Sequence, residues 1–217
     1  MNILIIEHIN NFIFKTSFLF NIIMKTIYYY QTFVTLDKLM SHPQDIDVII
    51  ISSIHFDKIN GKPQIYLNNN LPNSNKFYNL WTETQHCSVQ GITIMLMVGG
   101  AGGAYKNLFD NFEENYSQLR ELLREKTWIQ GIDLDIEELT RIEDIQRLIQ
   151  RLIDDFGENF IITMAPISSS LITDGGSMAG FNYKHLYNST QGKYIKWFNT
   201  QCYNSFSIET YESIIKN

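Results

Sequence analysis

Apolar and amphipathic segments alternate along most of the chain, from Thr26 onward. Residues 46–56 and 92–98 are almost continuously apolar, which is typical of strands buried on both faces. Residues 108–125 and 141–156 instead carry apolar side chains at intervals of three and four, as amphipathic helices do. Buried strands that alternate with such helices predict βαβ units around a parallel sheet.

The same pattern, followed along the whole chain, predicts six strands joined by helices. We expect strands over residues 27–33, 46–56, 92–98, 128–137, 160–166 and 195–203. Helices are expected over residues 36–41, 77–85, 108–125, 141–156, 181–187 and 208–216. Residues 57–75 are rich in Gly, Pro and Asn and predict a long loop that can hold a small hairpin at 64–67. The order of these elements fits a barrel and a doubly wound sheet equally well.

One strand carries a row of acidic residues, because polar and apolar positions alternate from Ile132 onward. Alternate residues of a strand share one face, so Asp133, Asp135 and Glu137 stand in a row with neighbouring Cα atoms ~7 Å apart. At an effective dielectric of about 20, each ionised neighbouring pair would repel by about 2 kcal/mol, which exceeds one pKa unit. One of the three carboxyls is therefore expected to stay protonated near neutral pH, as a general acid requires.

The acidic row also bears on the fold. In an open parallel sheet both faces are covered by helices, which would leave stacked carboxylates without water. The mouth of a barrel can hold them, and active sites of (β/α)8 barrels lie at the carboxyl ends of the strands. We therefore predict an α/β fold of the (β/α)8 TIM-barrel type.

Residues 131–137 read Gly-Ile-Asp-Leu-Asp-Ile-Glu and resemble the fourth-strand signature of family-18 glycoside hydrolases, the chitinase family, which is written D-G-x-D-x-D-x-E. Gln130 stands where the family usually has its first Asp, the position farthest from the cleaved bond. The chain supplies about six β/α units, so the barrel is expected to be incomplete. We expect it to be poorly stable and weakly active alone, unless residues 1–23 or a second chain cover the gap.

Two further strand ends also resemble this family. Gly99 and Gly100 match the glycines of its S-x-G-G motif, with Met97 in place of the serine, and glycine lets the backbone pass close to the carboxylates. Residues 164–166, Met-Ala-Pro, resemble the A-P pair that ends the family's fifth strand.

The sixth strand ends in Gln-Cys-Tyr-Asn at residues 201–204, which resembles the family's Q-x-Y-N form. Gln201 and Tyr203 share a strand face that can enter the barrel opposite Glu137. The predicted substrate-binding residues are Gly99, Gly100, Met164, Gln201, Asn204 and Tyr30 of the first strand.

The resemblance implies a substrate-assisted, retaining hydrolysis of β-1,4 glycosidic bonds next to N-acetylglucosamine, as in chitin or chito-oligosaccharides. The acetamido oxygen of the substrate attacks the anomeric carbon while Glu137 protonates the leaving oxygen. Asp135 holds the acetamido N–H, Asp133 shares a proton with Asp135, and Tyr203 positions the acetamido carbonyl. The expected partner is an N-acetylglucosamine-containing polysaccharide or glycan, and no cofactor or metal is expected.

Composition narrows the partners further. The 217 residues carry a net charge of −6, which argues against nucleic acid or an anionic membrane as partner. The two cysteines, Cys87 and Cys202, form no disulfide framework and no Cys/His metal-binding pattern. The oligomeric state stays open.

The N-terminal segment is treated separately from the barrel. Residues 1–23 are apolar in patches, but charged and amide residues interrupt them too often for a membrane span. Residues 1–25 are read as an extension or a weak signal segment, and residues 26–217 as the catalytic barrel. The protein would be secreted if the segment acts as a signal and cytoplasmic otherwise.

Several alternatives stay open at this point. The first is a carbohydrate-binding, non-catalytic member of the same fold, although such proteins usually lose the final Glu. The second is an endo-β-N-acetylglucosaminidase that acts on N-glycans. The acidic row could also be a solvated strand face, or the ligand set of a magnesium site or a metal-dependent hydrolase.

Overall fold

A curled sheet of seven strands forms the centre of the molecule in the computed structural model, which describes residues 25–31, 33–173, 177–203 and 207–216. Its strands are β1 (Ile27–Tyr30), β2 (Val48–Ile59), β3 (Lys62–Leu67), β4 (Thr93–Gly99), β5 (Ile129–Asp135), β6 (Ile161–Met164) and β7 (Ile195–Phe198). Six of them are parallel, in the order β1-β2-β4-β5-β6-β7, and β3 pairs antiparallel with β2. The six predicted parallel strands are confirmed, and the hairpin predicted at residues 64–67 is longer than expected.

Helices follow the parallel strands. They are α1 (Asp37–Met40), α2 (Tyr78–Val89), α3 (Ala104–Asp110), α4 (Phe112–Glu125), α5 (Ile142–Phe156), α6 (Ser169–Ile172), α7 (Tyr183–Tyr187) and α8 (Ile208–Lys216). The single helix predicted over residues 108–125 is wrong in one respect. Asn111 has a non-helical backbone with φ −144° and ψ 69°, which ends α3 and turns the chain into α4.

The two faces of the curled sheet differ. On the outer face, strand residues such as Ile51, Leu96 and Leu134 join a large core with apolar residues of the helices, for example Leu119 and Leu148. The inner face holds a smaller apolar cluster made of Ile27, Val48, Ile50, Met95 and Trp197. Water is therefore excluded from this apolar part of the curl, and the acidic residues of β5 lie towards the carboxyl ends of the strands.

The sheet is an incomplete (β/α) barrel. In the described part of the chain, β1 pairs only with β2 and β7 only with β6, so the curl stays open between them. Side chains nevertheless connect the two edges, since the Lys25 amino group lies 4.5 Å from the centre of the Trp197 ring. The predicted fold class is confirmed.

The helices of the described residues include none with the length and apolar character that a membrane crossing requires. The predicted N-terminal extension, residues 1–23, lies outside the described residues.

Candidate active site

A cleft of about 750 Å³ opens at the carboxyl ends of the parallel strands. It contains six of the residues that the sequence predicts for the site, which are Gly99, Gly100, Asp135, Glu137, Gln201 and Tyr203. Asp133 lies below its floor and is fully buried. Asn204 lies outside the described residues.

Asp133 accepts hydrogen bonds from more side chains than Asp135 does. Tyr29 Oη donates a hydrogen bond of 2.7 Å to its Oδ2 atom. Its Oδ1 atom accepts hydrogen bonds from Thr163 Oγ1 at 2.5 Å and from Asn199 Nδ2 at 3.1 Å. Burial raises the pKa of Asp133, and these three donors oppose that rise because they stabilise the ionised form. Side chains from β1, β6 and the end of β7 thus meet on one carboxylate of β5.

Asp135 lies one step closer to the cleft and has fewer partners. Gln201 Nε2 donates hydrogen bonds of 2.8 Å both to Asp135 Oδ1 and to the carbonyl oxygen of Ala165, which fixes the amide. Burial, and after it the charges of Asp133 and Glu137, raise the pKa of Asp135 to about 8. The structure therefore favours Asp135 as the carboxyl that holds a proton near neutral pH.

Glu137 stands just beyond the strand rather than within it, because β5 ends at Asp135. It is partly exposed and lines the cleft. The turn that carries it is anchored on both sides of the residue. Ile136 is buried, and Glu138 Oε1 accepts a 2.5 Å hydrogen bond from the backbone nitrogen of Tyr105 at the start of α3. A carboxyl that is open to the cleft but fixed at its base can reach a bound substrate without a large loss of conformational freedom.

The glycines that follow β4 allow the backbone to approach Asp135. A Cβ atom on Gly99 would lie 2.2 Å from the carbonyl oxygen of Asp135 and 2.5 Å from the Tyr105 ring. Gly99 also has φ +98°, a conformation that side chains disfavour. The backbone nitrogen of Gly100 donates a 2.8 Å hydrogen bond to that same carbonyl oxygen. These contacts are the close approach that the sequence predicts.

The chain after β7 carries Gln201 and Tyr203. The strand ends at Phe198, earlier than predicted, but the backbone continues beside β6 and Gln201 forms a parallel bridge with Ile167. Tyr203 lies at the rim of the cleft with 64% of its side chain exposed. Burial, followed by the charges of Asp135 and Glu137, raises its pKa, so its hydroxyl stays protonated near neutral pH.

Two predicted substrate-binding residues lie elsewhere. Tyr30 is buried on the outer face, where its hydroxyl donates to the carbonyl oxygen of Val34 and lies 3.5 Å from Glu83. Met164 is fully buried in the large core between sheet and helices. The structure places neither residue at the cleft, because both have the opposite strand parity from Tyr29 and Thr163, which point inward.

Three residues of the site were missed, namely Tyr29, Thr163 and Asn199. Signals in the sequence could have found two of them, Thr163 and Asn199. Thr163 is a polar residue between apolar neighbours in a strand, and Asn199 lies two positions before Gln201 and therefore on the same face. No comparable signal distinguishes Tyr29 from the tyrosines on either side of it.

The carboxylates of the site are not arranged as a metal centre. Across residues 25–31, 33–173, 177–203 and 207–216, no three His, Cys, Asp or Glu side chains are grouped so that they could hold a metal ion. The geometry instead combines a buried carboxyl with three hydrogen-bond donors, a second carboxyl whose pKa is raised to about 8, and a third at the cleft surface. That combination suits proton transfer to a substrate.

Comparisons with known proteins give structural matches only. No protein-family model matches the sequence, and a search of curated proteins gives no match. A chitinase from Aspergillus fumigatus is 32% identical with a TM-score of 0.80, over 88% of this chain and 73% of that chain. A fungal endo-β-N-acetylglucosaminidase from glycosyl hydrolase family 18 is 32% identical with a TM-score of 0.79, over 89% and 73%. A family-18 chitinase from Pseudoalteromonas aurantia shares the fold at 19% identity, with a TM-score of 0.69 over 88% and 75%.

Proposed function

The chain belongs to glycoside hydrolase family 18, and we propose that it hydrolyses β-1,4 glycosidic bonds next to N-acetylglucosamine in chitin or chito-oligosaccharides. The observation that carries this proposal is a row of three carboxyls whose exposure increases towards the cleft. Asp133 is fully buried, Asp135 is buried at the base of the cleft, and Glu137 is partly exposed at its surface. A similar chitinase, at 32% identity, supports the substrate class.

The row of carboxyls fits a substrate-assisted mechanism. An N-acetylglucosamine unit over Asp135 would place its acetamido oxygen to attack the anomeric carbon, with formation of a cyclic oxazolinium and cleavage of the glycosidic bond. Glu137 protonates the departing oxygen, and the same carboxylate then takes a proton from the water that opens the ring. The two displacements retain the configuration at the anomeric carbon.

Asp135 has two tasks in this scheme. Before reaction it holds a proton, because its pKa is raised to about 8. Movement of that proton to Glu137 makes Glu137 the acid and leaves Asp135 as a carboxylate that accepts the acetamido N–H. Tyr203, at the rim of the same cleft, donates a hydrogen bond to the acetamido carbonyl oxygen and so holds this oxygen in position to attack the anomeric carbon.

A second candidate substrate is the chitobiose core of N-glycans. The structural neighbour that is an endo-β-N-acetylglucosaminidase matches this chain as well as the chitinase does. Both reactions cleave beside a 2-acetamido group, so the carboxyl row serves either. The outer cleft, lined by His55, Asp57 and Tyr66 of the β2–β3 hairpin, would decide which glycan enters.

Turnover of two substrates tests the proposal. The protein is incubated with a fluorogenic chitobioside and, separately, with a high-mannose glycoprotein whose released glycans are identified by mass spectrometry. Turnover of the chitobioside is expected, with the β-anomer as the first product in proton NMR spectra. Cleavage of the glycoprotein alone would favour the second candidate. Binding of chito-oligosaccharides with no turnover of either substrate would contradict hydrolysis and favour a non-catalytic, carbohydrate-binding protein.

A further inference from the structure

Trp197 and Asn199 form a buried polar chain that ends on Asp133. Trp197 Nε1 donates a 2.9 Å hydrogen bond to Asn199 Oδ1, and Asn199 Nδ2 donates at 3.1 Å to Asp133 Oδ1. All three residues are buried, so water does not compete for these groups. These hydrogen bonds run from the inner apolar cluster, to which Trp197 belongs, up to the carboxylates.

The chemistry of the indole determines which way the Asn199 amide points. An indole N–H only donates, so the group that faces Trp197 must be the amide oxygen. The amide nitrogen then necessarily faces Asp133, to which it can only donate. Asn199 is therefore unable to accept a hydrogen bond from a protonated Asp133, and its donation favours the ionised form of that carboxyl.

Asp133 and Asp135 form a carboxyl pair, and Asp135 has fewer hydrogen-bond donors around it than Asp133. Asp133 receives hydrogen bonds from three side chains, whereas Gln201 is the amide that donates to Asp135. Asp135 also lies between two acidic neighbours. The hydrogen bonds to Asp133 favour the ionised form of that carboxyl, which leaves Asp135 as the better place for a proton shared by the pair.

We propose that Asn199, oriented by Trp197, is a positioning residue that keeps Asp133 ionised, so that the proton of the carboxyl pair resides on Asp135, beside Glu137. The consequence for catalysis rests on the proposed hydrolysis, but the location of the proton does not. A proton on Asp133 would be buried below Asp135 and separated by it from Glu137, the group that has to deliver a proton to the leaving oxygen.

Other ionisable groups near the pair do not compete for this proton. The tyrosines that face it from β1, α3 and α7 all have pKa values raised, chiefly by burial, so they stay neutral through the pH range of interest: Tyr29, Tyr105 and Tyr183. Glu137 is the remaining acidic group in contact with Asp135. The Lys25 amino group lies 4.5 Å from the centre of the Trp197 ring.

Carbon-13 NMR of protein labelled at the aspartate carboxyls tests the location of the proton without any substrate. In the wild-type protein the signal that disappears in Asp135→Asn should show a protonated carboxyl at pH 6.5, and the Asp133 signal an ionised one. Asn199→Leu removes the donor at similar volume. We expect the ratio of the two protonated forms to move towards Asp133 by roughly tenfold to a hundredfold, the worth of one hydrogen bond to a charged group.

Two further variants make the result decisive. Trp197→Phe keeps an aromatic ring but loses the N–H, which frees the Asn199 amide to rotate, so a smaller shift in the same direction is expected. Asn115→Leu makes the same change at another buried asparagine, whose amide donates to the Asn107 carbonyl oxygen on α3, and should leave both carboxyl signals unchanged. Unchanged titration of both aspartates in Asn199→Leu, or in Trp197→Phe if the first variant does not fold, would overturn the inference.

Turnover is measured on the same samples. The kcat of Asn199→Leu on the fluorogenic chitobioside should fall by roughly the same factor as the fraction of molecules that carry the proton on Asp135. If the wild-type protein turns over no substrate, the proposed function fails, while the NMR result still decides where the proton lies. A moved proton with an unchanged kcat would contradict the catalytic role assigned to its location.

Discussion

Substitution of Asp135 by Asn should stabilise the folded protein at neutral and alkaline pH, although it removes a residue that we place in the active site. The pKa of Asp135 is raised from the ordinary 3.8 to about 8 in the folded protein. Between these values the unfolded chain has lost the proton and the folded protein still holds it, so the unfolded state binds fewer protons. The free energy of unfolding therefore falls as pH rises through this window.

The magnitude follows from the width of the window. At about 1.4 kcal/mol per pKa unit, the interval from 3.8 to about 8 corresponds to roughly 6 kcal/mol lost by pH 9, as an upper bound. Water that enters the cleft and solvates the carboxylate would lower this figure. Asparagine resembles the protonated carboxyl in shape and does not titrate, so the variant lacks this loss. The advantage of Asp135→Asn should thus grow by roughly 4 kcal/mol between pH 5 and pH 8.

Urea unfolding of the wild-type protein and Asp135→Asn at one-unit steps from pH 5 to pH 9 measures this difference. Other titrating groups are common to both proteins and largely cancel. Asp110→Asn, an exposed aspartate at the end of α3, controls for the loss of one negative charge and should show no growing advantage. Equal pH slopes for wild type and Asp135→Asn would refute the reasoning, because they would mean that the folded protein holds no extra proton on Asp135.

Three other substitutions have definite expected outcomes. Gly99→Ala should lower the free energy of urea unfolding by roughly 1–3 kcal/mol, since its Cβ would lie 2.2 Å from the Asp135 carbonyl oxygen; wild-type stability would contradict the packing described. Tyr29→Phe should reduce chitobioside turnover, because Asp133 loses a 2.7 Å hydrogen bond, with an effect of roughly 1.5–3 kcal/mol on that carboxylate. Tyr30→Phe, one residue along on the outer face, should leave kcat unchanged, and equal effects of the two tyrosine variants would contradict the assignment of strand faces.

Alternation along single strands was sufficient to predict the parallel sheet and the strand that carries the row of acidic residues. The acidic row is readable because Ile132, Leu134 and Ile136 contrast with their neighbours, which identifies the inner face without knowledge of any other strand. The same contrast places Gln201 on the inner face. The family resemblance then added the expected roles of these residues.

The features that the sequence did not predict depend on contacts between strands. Residues 28–30 are three tyrosines, so their own pattern does not reveal which one faces inward. That parity is set by pairing with β2, where Tyr29 lies opposite Ile50 of the inner cluster. The inward position of Thr163 rather than Met164 likewise depends on pairing, because Thr163 lies opposite Trp197 of the inner cluster. The long hairpin was underestimated because Pro63 and the surrounding glycine and asparagines have low strand propensity, whereas pairing with β2 stabilises β3.

The most direct test of the central claim is turnover of a fluorogenic chitobioside by the wild-type protein and by Glu137→Gln. The change is nearly isosteric and removes only the transferable proton, so sugar binding and unfolding temperature should be retained. Glu143→Gln, an exposed residue of α5, serves as the matched control and should behave as wild type. We predict that kcat falls by ~10²–10⁴-fold in Glu137→Gln, the usual contribution of general acid catalysis. Turnover by Glu137→Gln at the wild-type rate would contradict the assignment of Glu137 as the acid and with it the proposed function.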